Sequence, residues 1–506
     1  MSYTHSVYRA SLYFLIILLA FSSRSPASAA DPVNLWQKLT PGIAYREFFL
    51  PEPNRVYVTR LERSNPQVIL ETGLAQGRLG ASLETVRNQA ERYDQALGYW
   101  GGRWGSRYRV VAAINGGFFD SESGIPINGL VHSGWYVKRF DNRQTVGSVV
   151  WRSDRLAFIG ECLVQPPGKQ QIILPDSGKS LTFDGINLLR QEDQANLVIV
   201  YTPQFGPFTP EQTGGIEILV ELTQPLMIQP FTQRLNGTVR ELRREQGQTP
   251  LLFDHVVISA GGQAGQALEA ALKPGDRIEF AQELRHLDGN CRKERPESWE
   301  GAYAGLTGGE IFLREGVLRP LNTLGAVLRN PRTAVALNER YVYFIVVDGR
   351  EQLSSLGMSI VELGVFARKY LSASWGVALD GGGSSTMVVN GQVKNNPNAE
   401  TVVRARPDKL ERVVANSLMM AVIEPAQFSQ RFRPGQSVVI GAAGEANLRT
   451  GPGTNYAPLA ILSPASQGTI LDHSLNGVSA KGYYWWLIDF SGFVGWMSES
   501  VLQEVQ

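Results

Sequence analysis

The chain has 506 residues, of which 43% are hydrophobic and 19% are charged, and its formal net charge is +1. At roughly 150 residues per domain, this length predicts two to four domains with sizeable cores. The near-neutral charge argues against nucleic acid as a partner, because nucleic-acid binding normally needs a strongly basic surface. The 52 glycines favour a chain rich in turns and strands over a coiled coil.

The first 29 residues have the pattern of a secretory signal peptide. Arg9 precedes an apolar run over residues 12–21, and Ala27-Ser28-Ala29 has the small residues of a cleavage site. A membrane-spanning helix needs about 20 apolar residues, so this run is too short, and no other stretch is long enough. We therefore predict a secreted, periplasmic or cell-envelope protein without a transmembrane anchor. An uncleaved leader is the alternative.

Two cysteines, Cys162 and Cys291, are a candidate disulfide in an oxidising compartment. Two unpaired buried thiols are the alternative. Together with five scattered histidines, these cysteines do not have the spacing of a zinc site. The sequence also lacks H-E-x-x-H, G-x-G-x-x-G, G-x-x-x-x-G-K-[ST] and G-x-S-x-G, which argues against several common hydrolase and nucleotide-binding classes.

The texture of the sequence changes near residues 424–436, where prolines and charges separate two apolar-patterned regions. We predict a large domain over residues 31–425, a linker over 426–436 and a small domain over 437–506. In the large domain, strand-like runs alternate with a few helices, such as residues 82–95, and residues 160–287 are mostly β. The expected fold class is α+β: a large mixed α/β sheet with helices, followed by a small all-β barrel.

Three apolar runs end abruptly at Asn or Asp followed by glycine. They are residues 110–114 before Asn115-Gly116-Gly117, residues 341–347 before Asp348-Gly349-Arg350, and residues 377–379 before Asp380-Gly381-Gly382-Gly383. Such runs are typical of central strands covered on both faces. If the strands are parallel neighbours, their ends bring Asn115, Asp348, Arg350 and Asp380 into one crevice, where open α/β sheets bind ligands.

The segment between the second and third run predicts a helix. Ser359 and Glu362 have the spacing of a capping box, which explains Glu362 better than a catalytic role does. An apolar stripe follows to about residue 373. Strand, helix and strand together predict a crossover unit.

The D-G-G-G-S-S-T segment over residues 380–386 favours anion binding. Glycine accepts positive φ and lets backbone N–H groups converge without a Cβ in the way, while Ser384 and Ser385 add hydroxyl donors. A strand-like run follows instead of a helix, so no helix dipole contributes. A simple hairpin turn is the alternative for this segment.

Five motifs, in this order, resemble the phosphodiester glycosidase family. They are N-G-G-F-F from Asn115, N-P-R-T-A from Asn330, V-D-G-R from Val347, L-D-G-G-G-S-S-T from Leu379 and E-R-V-V-A-N-S from Glu411. The family includes a lysosomal enzyme that removes N-acetylglucosamine from a phosphodiester linked to mannose, and many secreted bacterial proteins of exopolysaccharide type. The similarity is specific over residues 110–423. It implies hydrolysis of sugar-1-phosphodiesters, a glycan substrate, at the anomeric carbon–oxygen bond.

The resemblance also implies roles for individual residues. Ordinary glycosidases protonate their leaving group with a carboxylic acid, but a phosphate monoester leaves without a proton, so donors to the phosphate should outnumber acids. The catalytic candidates are Asp348, Asp380 and Glu411. The substrate-binding candidates, which provide guanidinium, amide, hydroxyl and backbone donors, are Asn115, Gly116, Gly117, Arg332, Thr333, Arg350, Gly381, Gly382, Gly383, Ser384, Ser385 and Arg412.

Alternatives stay open for the last motif and for metals. An ion pair between Glu411 and Arg412 that holds the following strand is as good an interpretation as a direct role. No cofactor is predicted. The acidic residues leave room for a divalent cation, Ca²⁺ or Mg²⁺, but their spacing is not that of an EF-hand.

Residues 437–502 resemble the bacterial SH3-like (SH3b) domain, through N-L-R-T-G-P from Asn447 and the later Trp485-Trp486 pair. Such domains often tether secreted enzymes, so the resemblance implies a cell-wall or envelope polymer as a partner. The barrel core is the favoured place for Trp485, Trp486 and Trp496. A non-catalytic polysaccharide-binding protein on the same fold is the alternative function. A cell-wall amidase would need a Cys-His or zinc pattern that the sequence lacks.

Overall fold

The computed structural model describes residues 36–80, 82–94, 107–140, 146–152, 154–166, 168–190, 194–211, 214–222, 234–286, 302–397, 411–441 and 443–505. Among these residues, strands make up 47% and helices 11%, with only four α-helices. The expected α+β class is therefore wrong, and the fold is mostly β. The described residues from Lys38 onward belong to one compact unit. The predicted signal peptide lies outside the described residues.

The N-terminal part contains eleven strands and one helix. The strands are β1 (Gln37–Thr40), β2 (Ile43–Leu50), β3 (Asn54–Glu62), β4 (Val68–Leu74), β5 (Glu84–Thr85), β6 (Arg107–Asn115), β7 (Leu130–His132), β8 (Trp135–Lys138), β9 (Gly147–Arg152), β10 (Ala157–Glu161) and β11 (Leu163–Val164). Helix α1 (Val86–Tyr93) begins after Thr85, whose side chain accepts a hydrogen bond from the Asn88 amide. The predicted helix over residues 82–95 is therefore shorter than expected, because residues 84–85 pair as a strand.

The middle part is mostly β, as predicted. Its strands are β12 (Gln171–Leu174), β13 (Lys179–Thr182), β14 (Gly185–Ile186), β15 (Ile199–Tyr201), β16 (Ile216–Leu222), β17 (Arg234–Arg244), β18 (His255–Ala260), β19 (Arg277–Ala281) and β20 (Arg285–His286), with helix α2 (Gly262–Ala271). Eight of them form a sheet in the order β13-β12-β19-β17-β16-β18-β15-β14. Cys162 is fully buried. Cys291 lies outside the described residues, so their pairing stays a prediction.

The third part carries most of the predicted motifs. Its strands are β21 (Ala302–Thr307), β22 (Ile311–Arg314), β23 (Val317–Leu318), β24 (Arg332–Leu337), β25 (Tyr341–Val347), β26 (Trp375–Ala378), β27 (Met387–Val389), β28 (Gln392–Val393), β29 (Val413–Val414) and β30 (Asn416–Glu424). Two helices, α3 (Leu324–Val327) and α4 (Ile360–Leu371), lie among them. Helix α4 has the predicted capping box, because the Ser359 hydroxyl accepts from the Glu362 amide and the Glu362 carboxylate accepts from the Ser359 amide.

The three strands that end in motifs are not parallel neighbours. Strands β25 and β26 both pair antiparallel with β24, which lies between them. They therefore run in the same direction, with α4 as the crossover, as the strand–helix–strand prediction requires. Strand β6 belongs to a different sheet, of order β28-β27-β6-β30-β4, while β25 lies in the sheet β1-β2-β3-β25-β24-β26-β22-β23. The two sheets share one hydrophobic core, which includes Phe344 from β25 and Leu418 from β30.

The C-terminal part is all-β but does not close into the expected SH3-like barrel. Its strands are β31 (Ser437–Ile440), β32 (Ala446–Arg449), β33 (Pro458–Leu462), β34 (Gln467–Ile470), β35 (Val478–Ala480), β36 (Tyr483–Phe490), β37 (Phe493–Ser498) and β38 (Leu502–Glu504). The pairing runs β33-β32-β37-β36-β34-β31-β38, with β35 beside β36, so the sheet of described residues has two ends. Trp485, Trp486 and Trp496 are buried, as favoured.

The C-terminal sheet has an apolar core of its own and also packs against the middle part. The Phe253 ring lies 5.7 Å from Trp496 and 5.9 Å from Tyr456 between centroids, both edge to face. The Phe253 amide also donates to the Thr450 carbonyl at 2.8 Å. The C-terminal strands therefore bury one cluster, which includes Trp486 and Met497, among themselves and share a second cluster with Phe253. The proposed boundary over residues 426–436 stays a prediction.

Candidate functional site

Asn115 joins two of the motif-bearing strand ends. It is fully buried at the end of β6. Its Nδ2 donates to the Asp380 carbonyl at 2.6 Å, and its Oδ1 accepts from the Thr386 amide at 3.1 Å, so one side chain holds both ends of the 380–386 loop. The Thr333 hydroxyl donates to the same oxygen at 2.7 Å. Asn115 therefore shapes the loop and has little capacity left for a ligand.

Asn416 fixes the Gly116-Gly117 turn that follows. Its Oδ1 accepts from the Gly117 amide at 2.7 Å, and its carbonyl accepts from the Gly116 amide at 2.9 Å. The turn needs glycine for space, because a Cβ at Gly117 would lie 2.0 Å from the Thr307 carbonyl oxygen. Asn416 lies within the E-R-V-V-A-N-S motif, but the sequence did not predict a site role for it.

Arg350 brings a positive charge to the loop. Its guanidinium donates to Asn330 Oδ1 at 3.3 Å, and its Nη2 would lie 3.2 Å from a Cβ at Gly382. Arg350 itself has a φ of 62°, a conformation that costs a bulky residue free energy and that clusters at functional sites. The exposed guanidinium thus lies over the glycine loop, where the lack of a Cβ lets it approach.

In the 380–386 loop, the described groups that have no hydrogen-bond partner are hydroxyls, whereas three backbone amides have one. The amides of Gly382, Ser384 and Ser385 already donate to backbone carbonyls, at 2.9 to 3.2 Å. By contrast, the buried hydroxyls of Ser385 and Thr386 have no hydrogen-bond partner among the described residues. A buried polar group without a partner costs about 1–3 kcal/mol. An oxygen-rich ligand would relieve that cost.

Asp380 is the carboxylate of the loop. Burial raises its pKa, while the Ser384 side chain, the positive charge of Arg412 and the Gly381 amide all oppose the rise. Three glycines, Gly381 to Gly383, follow it in the loop, and the Asp380 amide donates to the Gly116 carbonyl at 3.1 Å. Asp380 is therefore a carboxylate of increased basicity with a positive charge nearby, at the meeting point of β6 and β26.

Asp348 has a different environment. It is 1% exposed, and its carboxylate accepts from the Tyr57 hydroxyl at 2.9 Å, the Asn395 Nδ2 at 3.2 Å and the Asn396 amide at 2.9 Å. Asn395 in turn donates to the Ser385 carbonyl at 2.9 Å and accepts from the Met387 amide at 2.8 Å. Asp348 therefore acts on the loop through Asn395, as a positioning residue. Burial is the largest cause that raises its pKa, to about 6.

Arg332 and Glu411 lie near the loop's scaffold but are engaged elsewhere. The Arg332 guanidinium donates to the carbonyls of Met358 and Gly325, at 2.8 and 2.7 Å, which ties α3 to β24. The Glu411 carboxylate accepts from the Arg87 amide at 3.0 Å and lies 3.4 Å from the Arg87 guanidinium, at the N-terminus of α1. A carboxylate there satisfies a free helix amide and complements the helix dipole.

The structure thus brings together part of the predicted set. Around the loop it places Asn115, Thr333, Gly116, Gly117, Arg350, Asp380, Gly381, Gly382, Gly383, Ser384 and Ser385, with Arg412 within electrostatic reach. Asp348 is connected through Asn395, whereas the functional groups of Arg332 and Glu411 contact α3 and α1. Asn395 and Tyr57 were missed, because nothing in the sequence links Tyr57 to a position 291 residues later.

Two further observations concern metals and membranes. In the described ranges, no three His, Cys, Asp or Glu side chains are grouped closely enough to hold a metal ion. None of the helices described is both long and apolar enough to span a membrane.

Fold and site together define a mostly β protein with a polar glycine loop that combines a guanidinium, a carboxylate and hydroxyls. Residues 233–421 match the model of the phosphodiester glycosidase family. The match covers less than half of the chain and includes the 380–386 loop, but Asn115 precedes it. No match is found among curated proteins.

Three solved structures resemble the chain at a distance. A hypothetical protein from Synechocystis is 18% identical, with a TM-score of 0.47, and the match covers 76% of this chain and 62% of that one. A Burkholderia pseudomallei protein assigned as exported is 20% identical, with a TM-score of 0.44 and coverages of 72% and 74%. The catalytic domain of zebrafish N-acetylglucosamine-1-phosphodiester alpha-N-acetylglucosaminidase, auto-inhibited by its pro-peptide, is 12% identical, with a TM-score of 0.37 and coverages of 76% and 84%. All three TM-scores are below 0.5, so these likenesses carry no functional inference.

Proposed function

We propose that the chain is a hydrolase that cleaves the glycosidic bond of sugar-1-phosphodiesters at the 380–386 loop. The observation that carries the proposal is the exposed Arg350 guanidinium over Gly382, in the loop that also holds the Asp380 carboxylate. Guanidinium groups suit multi-oxygen anions such as phosphate. The family-model match over residues 233–421 supports the same class of reaction.

The proposed reaction needs a group that binds the phosphate and a carboxylate that accepts a proton. Arg350, whose side chain is exposed beside Gly382, binds the phosphate oxygens. The bond from the anomeric carbon to the phosphate oxygen breaks, and the phosphate monoester leaves as an anion. A water oxygen bonds to the anomeric carbon, and one water proton passes to Asp380. The increased basicity of Asp380 suits this role.

Asp348 supports this site without touching the substrate. Its carboxylate is held by three donors and is closed off from solvent. Through Asn395 it fixes the Ser385 carbonyl and the start of β27. We assign it to positioning the loop, and we assign Glu411 to holding α1.

The proposal extends to location and partner. We place the protein outside the cytoplasm, on envelope or extracellular glycans, because of the leader pattern in residues 1–29. The C-terminal strands would bind a cell-wall or envelope polymer. Because the tryptophans are buried, the groups available for stacking on sugars there are Phe493 and Tyr483, which are 62% and 46% exposed.

A hydrolysis assay tests the proposal. The purified full chain is incubated with a panel of sugar-1-phosphate methyl diesters, and free sugar is measured. Arg350→Ala and Asp380→Asn should each lower kcat/KM by about 100- to 10,000-fold, since each removes a group that acts on the developing charge or the proton. Arg340→Ala and Asp176→Asn are matched controls, because both residues are largely exposed in surface ion pairs.

The outcomes separate the two candidate functions. Sugar release that falls in the loop variants and persists in the controls would support the enzyme. Wild-type rates in both folded loop variants would remove the loop from the mechanism. Saturable binding to isolated envelope polysaccharide, with no release of sugar or phosphate from any diester, would favour the non-catalytic binding protein.

A further inference from the structure

A cavity separate from the 380–386 loop lies between the middle sheet and the C-terminal strands. Its volume is about 620 Å³, and none of the candidate-site residues lines it. Ligand pockets typically enclose about 300–1,000 Å³. The cavity therefore has the size of a binding site for a small organic molecule, separate from the 380–386 loop.

One wall of this cavity is a charged sheet face. On β16 and β17, Leu219 pairs with Glu241, and on β16 and β18, Glu221 pairs with His255. Directly paired residues of antiparallel strands point to the same face. Leu219, Glu221, Glu241 and His255 therefore share one face, while Val220 and Val256 on the opposite face belong to the hydrophobic core.

The opposite wall comes from the C-terminal strands and combines an aliphatic patch with Asp472 and His473. The patch includes Leu459, Leu471 and Val494, all of them only partly buried in the structure. An occupant of the cavity must therefore satisfy charged groups and an aliphatic patch at the same time. A purely hydrophilic or purely apolar molecule would leave one of the two unsatisfied.

The charges that line the cavity are unbalanced. Four carboxylates line it, those of Glu221, Glu241, Asp254 and Asp472, against a single arginine, Arg243, and the two histidines His255 and His473. Arg240 contacts Glu221, and Arg243 lies 3.8 Å from Glu241, so part of this charge is compensated. With Arg240 included, four carboxylates face two arginines, and the apolar part of the lining concentrates the potential of a charged cleft.

Hydrogen bonds and aromatic packing hold the two walls together. Asp254, just before β18, is hydrogen-bonded to His255 at 2.7 Å and to His473 of the C-terminal part at 3.1 Å. The Phe253 and Trp496 rings pack beside it. A cavity between walls fixed in this way is already formed, so a ligand pays little conformational cost on entering.

We propose that this cavity binds a small organic cation with an apolar body, its positive charge near Glu241 and its apolar part against Leu459 and Leu471. The test is isothermal titration of the full chain with n-octylammonium and, as the charge-reversed control of equal length, with octanoate, both below their micelle concentrations. We expect saturable one-site binding of octylammonium, at least about tenfold tighter than that of octanoate, because reversing the charge reverses the sign of the Coulomb interaction.

Two variants connect the binding to the cavity. Glu241→Gln and Leu459→Gln should each weaken octylammonium binding by about threefold or more, the first through charge and the second through the lost apolar contact. Glu504→Gln, at an exposed position on β38 that does not line the cavity, should leave the affinity unchanged. Circular dichroism and urea unfolding confirm that each variant is folded. Absent saturation, equal affinity for octanoate, or unchanged affinity in both cavity variants would overturn the proposal.

Discussion

Asp348, beside the glycine loop, and Asp254, at the junction with the C-terminal strands, are both buried carboxylates, but their pKa values move in opposite directions. Burial is the largest influence on both and acts to raise the pKa. Asp348 has only neutral hydrogen-bond donors, and its pKa rises to about 6. Asp254 lies between His255 and His473, and their combined effect lowers its pKa well below the usual range. The partners of a carboxylate, more than its depth, decide whether it holds a proton.

The opposite pKa directions of Asp348 and Asp254 correspond to two roles of a buried carboxyl group. At the junction, a carboxylate hydrogen-bonded to two histidines connects two parts of the chain, so removing it takes that partner from both histidines. Beside the loop, neutral donors hold an acid that keeps its proton to higher pH, so its contribution to stability changes with pH. The two regions should therefore respond differently to mutation and to acid.

Breaking the junction should have the largest effect. Asp254→Ala removes both histidine contacts and should lower the free energy of unfolding by about 3 kcal/mol at neutral pH, because two buried hydrogen bonds to a carboxylate are lost. The measurement is urea unfolding followed by tryptophan fluorescence. Asp472→Ala, at an exposed position nearby, should change stability by less than about 0.5 kcal/mol. A loss for Asp254→Ala as small as that of the control would mean that the histidines do not hold the junction.

The junction could not be predicted from the sequence, whereas part of the loop could. Local signals identified the capping box at Ser359 and Glu362 and the abrupt strand ends at Asn115 and Asp380, because capping and turn chemistry depend on nearby residues. The contact of Asp254 with His473 spans 219 residues. No periodicity or composition encodes such a pairing, which arises only when two separately formed sheets pack.

The fold class was wrong for a related reason. Apolar runs such as residues 341–347 fit a buried strand in a parallel or an antiparallel sheet, so periodicity cannot tell the two apart. Here β24 lies between β25 and β26 and turns an expected parallel pair into an antiparallel sheet. In the C-terminal part, short strand-like pieces separated by Gly and Pro predicted a barrel, but the described strands pair into a sheet with two ends.

Beside the loop, the difference in unfolding free energy between wild type and Asp348→Asn should change by about 2 kcal/mol with pH. The pKa of Asp348 is about 6 in the folded chain against 3.8 ordinarily, so the folded state binds more protons between these values. Its stabilisation is fully present below the lower pKa and is lost as pH rises through the higher one. The stability advantage of wild type over Asp348→Asn should therefore be about 2 kcal/mol greater near pH 4.5 than near pH 7.5.

The same linkage at Asp254 has the opposite sign and a lower pH window. Its pKa is lowered on folding, so its contribution is present above the ordinary carboxylate pKa and is lost as the pH falls below it. Relative to Asp254→Asn, wild type should lose advantage on going from about pH 5 to about pH 3. Equal pH profiles for the two variants would contradict the contrast between the two regions.

Tyr57→Phe should have the smallest effect on stability, and its pH dependence tests whether Asp348 binds a proton in this range. The variant removes the hydroxyl that donates to Asp348 at 2.9 Å and keeps the ring. A hydrogen bond to a charged acceptor is stronger than one to a neutral acceptor, so the loss should be about 1.5 kcal/mol near pH 7.5 and about 0.5 kcal/mol near pH 4.5, where Asp348 is protonated. Tyr341→Phe, at the far end of β25 from Asp348, controls for the substitution itself. A pH-independent loss would mean that Asp348 does not titrate in this range, whereas a loss that shrinks in acid ties the proton to Asp348.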